Sequence, residues 1–287
     1  MKKVVLSVVA ALAVSAAVPA FAADMPVKAA KVAVAPAPAP FDVLFGTAFT
    51  TDYRLRGISQ SNKKPAVQGY FELDYTVTDW LKLYAGVWGS SLYAGFADAE
   101  FDISGGARFS YGNFGLDLGY VQYEYPDGVA ASGSGSYGEF YAKPSYKFND
   151  WLTIGGIFDG GTNFNDKVAG GAGGGGAWVG NADAYFYSGN AVITLPWQPA
   201  GVTISLNPEI GRQVYSSDVF TNLGLPSYTY WDVGLDFNYK AVTLDLRYWD
   251  TNKHGTFFSP AAYGGKDLGG STFVATLKFD TSLSALK

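Results

Sequence analysis

Between Thr51 and Ser61 the sequence reads TDYRLRGISQS, with Asp52, Arg54 and Arg56 at every second position. Residues two apart along a strand share a face, so this spacing gathers three charges on one side and leaves Tyr53 and Leu55 on the other. The device recurs along the chain in Glu72 and Asp74, Lys82, Glu100 and Asp102, Arg108, Asp117, Glu139 and Lys143. It continues in Asp159, Glu209, Asp232 and Asp236, Asp245 and Arg247, and Lys278. Two kinds of chemistry are open to such a set. Charged rings around an aqueous axis select ions, and opposite charges on neighbouring strands tie a wall together. For Asp52, Arg54, Arg56, Glu72 and Asp74 the second use weighs more, since cross-strand partners are at hand, and the two uses are compatible. Both signs are present with a slight excess of acid, which points to a weak cation preference rather than to an arginine-lined pore for sugar acids.

Other chemistries find little to work with. The chain has no Cys and no G-x-S-x-G elbow, and its lone His254 falls in a late, Gly-rich loop, where a solvated imidazole is the expected state. The run GGAGGGG (170–176) lacks the Gly-Lys-Ser/Thr ending of a phosphate loop. DGGTNFND (159–166) offers oxygen ligands, but their spacing fits no EF-hand. No catalytic residue, metal site or cofactor is therefore expected. A formal net charge of −5 without a basic stripe argues against nucleic acid as a partner. Tyr70, Tyr84, Trp88, Tyr141 and Trp249 share faces with the charges, and filling an interior is their expected role.

To gather those charges on one face the chain must supply strands, and from Phe41 onward it alternates with period two in about twelve segments. The first oily face runs Phe41, Val43, Phe45, Phe49, Tyr53 and Leu55. The second runs Val67, Phe71, Leu73, Tyr75 and Val77, and a late one Trp231, Val233, Leu235, Phe237 and Tyr239. Across the middle of every segment the oily face carries no Lys, Arg, Asp or Glu; Glu124, Asp183 and Arg212 break parity only at loop ends. In hydrocarbon a misplaced charge costs about 2–4 kcal/mol at the midplane, so clean faces are what a bilayer enforces. The segments run to about ten residues, enough to cross a bilayer at a steep tilt. Trp80, Trp151 and Trp197, with Tyr75, Tyr111 and Tyr239, cluster at short turns, as an interfacial girdle would. Short turns alternate with long loops near 57–65, 91–98, 126–138, 160–181, 214–228 and 251–270. These features favour a transmembrane antiparallel up-and-down β-barrel over a soluble sandwich, with Tyr53 and Leu55 facing lipid and Asp52, Arg54 and Arg56 facing water.

The address agrees. Met1-Lys2-Lys3, an apolar run from Val4 to Val18 and Ala20-Phe21-Ala22 read as a signal peptide over 1–22. Removing Lys2 and Lys3 with it moves the net charge from −5 to −7. An Ala/Pro-rich linker follows over 23–40, and the barrel over 41–287.

Asp52-Tyr53-Arg54, Arg56-Gly57-Ile58-Ser59-Gln60, Pro65-Ala66 and Gln68-Gly69 form a fixed run of polar and aromatic types. With LDLGYVQYEYP (116–126) and LDLRYWDTN (244–252), that run resembles the TorF-type porins, the Gcw_chp group of proteobacterial outer-membrane barrels. The likeness covers residues 42–280. It implies a porin-like barrel in the Gram-negative outer membrane and specifies no substrate. One feature departs from the family and another from the general barrel pattern. The first is the Gly-rich stretch 169–177. The other is the run of eight residues after Phe279, where outer-membrane barrels commonly end on an aromatic. The expected partners are outer-membrane lipid, lipopolysaccharide, the barrel-assembly machinery and small hydrophilic solutes. The expected function is passive diffusion through a mixed-charge lumen. A non-conducting barrel working through its outer loops is the alternative, and a membrane hydrolase a weaker one.

Overall fold

The computed structural model describes residues 40–92, 97–126, 137–161, 184–215, 226–254 and 265–286. The expected signal peptide, all of the linker but Pro40, and the Gly-rich 169–177 stretch lie outside the described residues.

Period-two sequence becomes wall. Twelve antiparallel strands close into a barrel: β1 (Phe41–Thr50), β4 (Ala66–Thr78), β5 (Leu81–Ser91), β6 (Ala99–Tyr111), β7 (Phe114–Glu124), β8 (Tyr137–Lys147), β9 (Leu152–Gly161), β10 (Ala184–Thr194), β11 (Thr203–Tyr215), β12 (Tyr228–Tyr239), β13 (Val242–Thr251) and β14 (Thr272–Ser282). Two further strands, β2 (Arg54–Leu55) and β3 (Ile58–Ser59), form a separate miniature hairpin. Each wall strand pairs with its sequence neighbour, and β1 closes the ring on β14, with Leu44 opposite Ser282 and Thr50 opposite Thr276. Closure leaves no unpaired edge, the condition for a sheet to cross hydrocarbon. No described helix is long and apolar enough to cross a membrane; the crossing is done by strands.

The faces are inverted relative to a water-soluble protein. Phe71, Leu73, Val87, Ile103, Phe140, Phe158, Val233, Leu246 and Leu277 are exposed on the outside, while Glu72, Glu100, Glu139 and Asp245 are buried inside. Trp80, Trp151, Trp197 and Tyr111 are exposed at the end with the short turns. Lys240 and Gly112 take positive φ in two of those turns, the conformation a tight hairpin needs. Both ends of the barrel sequence lie there as well. Asp42 Oδ2 accepts the Ser284 hydroxyl at 2.5 Å and Asp42 Oδ1 the Ser284 amide at 3.0 Å. Phe279 is not the last wall residue; β14 runs on to Ser282.

The expectation for the first segment fails beyond Thr50. Its alternation continues through Leu55, but β1 stops at Thr50, and Tyr53 is 3 % exposed rather than lipid-facing. The chain leaves the wall there and turns into the barrel, and a polar lumen rewards the Tyr53 hydroxyl as lipid would not. Asp52, Arg54 and Arg56 lie inside as well, but on this inward segment and not on the wall.

The outward oily face makes a direct prediction. Val87→Lys, near the middle of β5, is expected to lower unfolding free energy in lipid vesicles by about 2–4 kcal/mol. The same substitution of the boundary residue Trp80 is expected to cost far less for its charge. Urea titration of the refolded variants measures both; equal stability at the two depths would remove hydrocarbon as the solvent of this face.

Candidate functional site

The segment from Thr51 to Pro65 is built to hold its own shape. Arg54 pairs with Ser59 and Leu55 with Ile58, around a two-residue turn in which Arg56 and Gly57 both have positive φ (50° and 83°). That is the turn type matched to hairpin twist, and glycine enters it without strain. A Cβ on Gly57 would also meet Tyr230 Cβ at 2.6 Å, so the turn lies hard against β12. Asp52 gathers the base of the hairpin. Its carboxylate accepts Arg54 Nε at 2.9 Å, Ser59 Oγ at 2.5 Å and Ser61 Oγ at 3.1 Å. Arg54 then donates to the carbonyls of Gly57 and Gly270 at 2.8 and 3.1 Å.

From the tip of this hairpin Arg56 reaches the opposite wall. The segment leaves from β1 and returns to β4, and the strands facing these across the ring are β8 to β11. Arg56 donates to both Glu139 oxygens on β8, at 3.0 and 2.6 Å. It also donates to Asp159 on β9 at 3.1 Å and Gln213 on β11 at 2.9 Å. Its guanidinium lies 4.6 Å from the ring centre of Phe186 on β10. Burial alone would favour the neutral form of Arg56, but the Glu139 and Asp159 carboxylates outweigh it and hold the pKa well above its ordinary value. Tyr53 ties the same segment to β6 through Glu100 at 3.1 Å. Leu55 fills the space between, against the aromatic clusters of both halves. The segment is a bar across the lumen.

The wall charges form two further knots. Arg108 on β6 makes a fork to Glu72 at 2.7 and 2.8 Å and reaches Asp74 and Asp117 at 3.2 Å. It lies 3.8 Å over the Tyr84 ring, Tyr84 donates to Asp117 at 2.7 Å and also bonds the Tyr141 hydroxyl, and Lys82 meets Asp74 at 2.9 Å. On the other side Arg247 pairs with Asp232 and with Asp245 at 3.3 Å, and Lys278 joins Asp245 at 3.4 Å. Gly234 makes room for Arg247, whose Nη2 a Cβ there would meet at 2.5 Å. Asp236 sits in the field of Arg247 and Lys278, and Lys143 lies 4.5 Å over Tyr141. Glu100 and Asp102 stand apart, with no ion pair to Lys or Arg among the described residues.

All nineteen charges singled out from the sequence therefore lie inside the barrel, sixteen on the wall and three on the bar. Tyr53, Gln213 and Tyr123, which reaches Glu139 at 3.2 Å, belong to the same network and were not singled out from the sequence. Continuing the parity of Glu209 to Gln213, and of Asp117 to Tyr123, would have found two of them; nothing local marks Tyr53. The three parity breakers behave as loop-end residues where described: Arg212 donates to Thr229 at 3.1 Å near the rim, Glu124 ends β7, and Asp183 lies outside the described residues. His254, expected as a solvated imidazole, stands 3.5 Å from both Asp250 and Asp267 and is 52 % exposed.

The interior is filled at the level of the bar. Glu72, Glu100, Asp102 and Glu139 are 0–1 % exposed, as are Phe186 and Tyr230. What this arrangement can do chemically is block passage, or permit it once Arg56 and Tyr53 let go.

Comparison with known proteins agrees with this architecture. A family model described as "Bacterial protein of unknown function (Gcw_chp)" matches residues 34–280. No protein with a curated description matches the sequence. Among solved structures, the NanC porin superposes with a TM-score of 0.51 at 10 % identity, covering 84 % of this chain and 98 % of that one. A structure from work on in-meso crystallisation of membrane proteins gives 0.50 at 11 % identity, covering 85 % of this chain and 84 % of that one. At such identities the likeness concerns the fold alone.

Proposed function

We propose, for a chain that belongs to the Gcw_chp family of bacterial proteins and lies in the outer membrane as a closed barrel, that it is a channel for small hydrophilic solutes or ions, held shut in this conformation by residues 51–65. The observation that carries the reading is Arg56, which crosses the lumen to Glu139, Asp159 and Gln213. A barrel needing only a filled core would be served by wall side chains. Here a self-stabilised hairpin, attached at its two ends and to the 266–270 segment, is fastened to the far wall by one guanidinium and to β6 by one tyrosine. Withdrawal of that unit would uncover a path bordered by both signs of charge: Glu72, Asp74, Lys82 and Arg108 on one side, Asp232, Asp236, Asp245 and Arg247 on the other, with Glu100, Asp102, Glu139 and Lys143 between. Such a lining suits small ions and polar solutes more than large or apolar ones.

Planar-bilayer recording decides the matter with two proteins, the wild type and a variant whose residues 51–65 are replaced by a Gly/Ser linker of equal length. The wild type is expected to be closed for most of the record, and the linker variant to conduct steadily. A second reading, a non-conducting barrel acting through its outer loops, draws support from the near-zero exposure of the lumen carboxylates. It prevails if the linker variant refolds, migrates as a heat-modifiable barrel, and stays silent.

A further inference from the structure

Glu100 and Asp102 are adjacent lumen carboxylates with no ion pair to Lys or Arg among the described residues. They are two residues apart on β6, share a face, and are 0 % and 1 % exposed. Glu100 Oε1 accepts the Tyr53 hydroxyl at 3.1 Å. Tyr125 is a further hydrogen-bond partner of Glu100, while neither Asp102 oxygen has a donor among the described residues when both groups are ionised. The two carboxyls lie beside one another on the same face, and once water reaches and ionises them no Lys or Arg among the described residues stands by to balance them. A buried charge in that state is costly unless something positive meets it. The other lumen acids of the bar and the Arg108 and Arg247 knots already have their cations.

The surroundings define which positive group would fit. Trp88 on β5 and Tyr123 on β7 are the cross-strand neighbours of Asp102, and side chains in that relation lie against one another. Tyr53 lies against Trp88, ring centres 5.5 Å apart. Tyr137 stacks on Tyr123 at 4.5 Å and on Tyr125 at 6.5 Å. Carboxylates set among aromatic side chains are an environment that suits an ammonium group, whose N–H donors the oxygens take and whose remaining charge a ring face can receive. A divalent metal ion would want an oxygen shell that aromatic faces cannot replace, and no metal-ligating cluster of three or more His, Cys, Asp or Glu occurs among the described residues.

We infer that Glu100 and Asp102, flanked on the wall by Trp88 and Tyr123, form a recognition station for small ammonium-type cations, reached when Tyr53 withdraws with the 51–65 segment. In the closed form the Tyr53 hydroxyl occupies the cation's place on Glu100. The inference rests on the channel reading, since Tyr53 leaves only with the bar. It also locates the weak cation preference suggested by the excess of acid. The knotted acids are already engaged by Arg and Lys, so this pair dominates the attraction of a passing ion.

The test uses the linker variant, with and without Glu100→Gln and Asp102→Asn, singly and together, and methylammonium chloride as the probe. Heat-modifiable migration confirms that each barrel has folded. In bilayers, the methylammonium-to-chloride permeability ratio is expected to fall by roughly fivefold or more in the double variant, with conductance retained. Independently of conduction, methylammonium chloride is expected to raise the melting temperature of the linker variant above that in sodium chloride of equal ionic strength, and the double variant is expected to lose that difference. Steady conduction with unchanged selectivity and no specific thermal shift overturns the station while the channel stands. A silent bilayer with a shift that needs Glu100 and Asp102 leaves the station and removes the channel. Neither signal removes both. Should the double variant not fold, the single variants and the methylammonium–sodium comparison on the parent barrel decide.

Discussion

Arg108→Ala is expected to lower the unfolding free energy of the barrel by about 3–5 kcal/mol, the range for removing one partner from a buried ion pair. The single guanidinium serves Glu72 through two bonds of 2.7 and 2.8 Å, Asp74 and Asp117 at 3.2 Å, and stacks over Tyr84 at 3.8 Å. Its loss leaves Glu72, 0 % exposed, with no cation, while Asp74 keeps Lys82. The cost therefore comes mainly from the stranded carboxylate and only partly from the broken bonds. Two companions separate these contributions. Arg108→Lys keeps the charge but not the fork, and is expected to fall between the wild type and the alanine variant. Adding Glu72→Gln to Arg108→Ala is expected to recover part of the loss, because the stranded charge is gone. Urea unfolding of vesicle-refolded protein measures all three. A loss below about 1 kcal/mol for Arg108→Ala would mean the lumen is wet enough to screen the pair, and the account of a filled interior would fail.

Arg56→Ala is expected to act on gating much more than on the wall. It removes the bonds to Glu139, Asp159 and Gln213, and hydrogen bonds to charged groups contribute about 1.5–3 kcal/mol each. Every 1.4 kcal/mol taken from the closed state is about a tenfold gain in the open-to-closed ratio. Mean conductance is therefore expected to rise on the order of a hundredfold from a mostly closed wild type, until the open fraction saturates. Tyr53 still holds Glu100, so brief closures should persist, unlike in the linker variant. Arg56→Lys is expected to open the pore partway, since a compact ammonium with three donors lacks the planar fork that makes four bonds to three strands. Wild-type open probability in both variants, measured at the same voltage and salt, would contradict the latch.

The wall was legible in the sequence to an unusual degree, and the reason is the solvent. Hydrocarbon penalises each outward charge separately, so Val67 to Val77 or Trp231 to Tyr239 must alternate cleanly whatever the rest of the chain does. Segment number, turn placement and the Trp80, Trp151 and Trp197 girdle follow from the same local demand. The inward side was legible as composition only. Parity placed Arg108, Glu72 and Asp74 on the lumen face, but not that one guanidinium would serve carboxylates from β4 and β7.

Residues 51–55 mark the limit. Their alternation is as regular as that of any wall strand, and by itself it implied a lipid-facing Tyr53. The amino-acid sequence alone determined an inside-out barrel with charge turned inward, because each residue answers individually to the medium it touches. Whether that interior is open was decided only by the tertiary structure. Arg56 finds its acceptors 83, 103 and 157 residues away, and those acceptors become a single site only when the ring closes and sets β8, β9 and β11 across from the turn at Gly57.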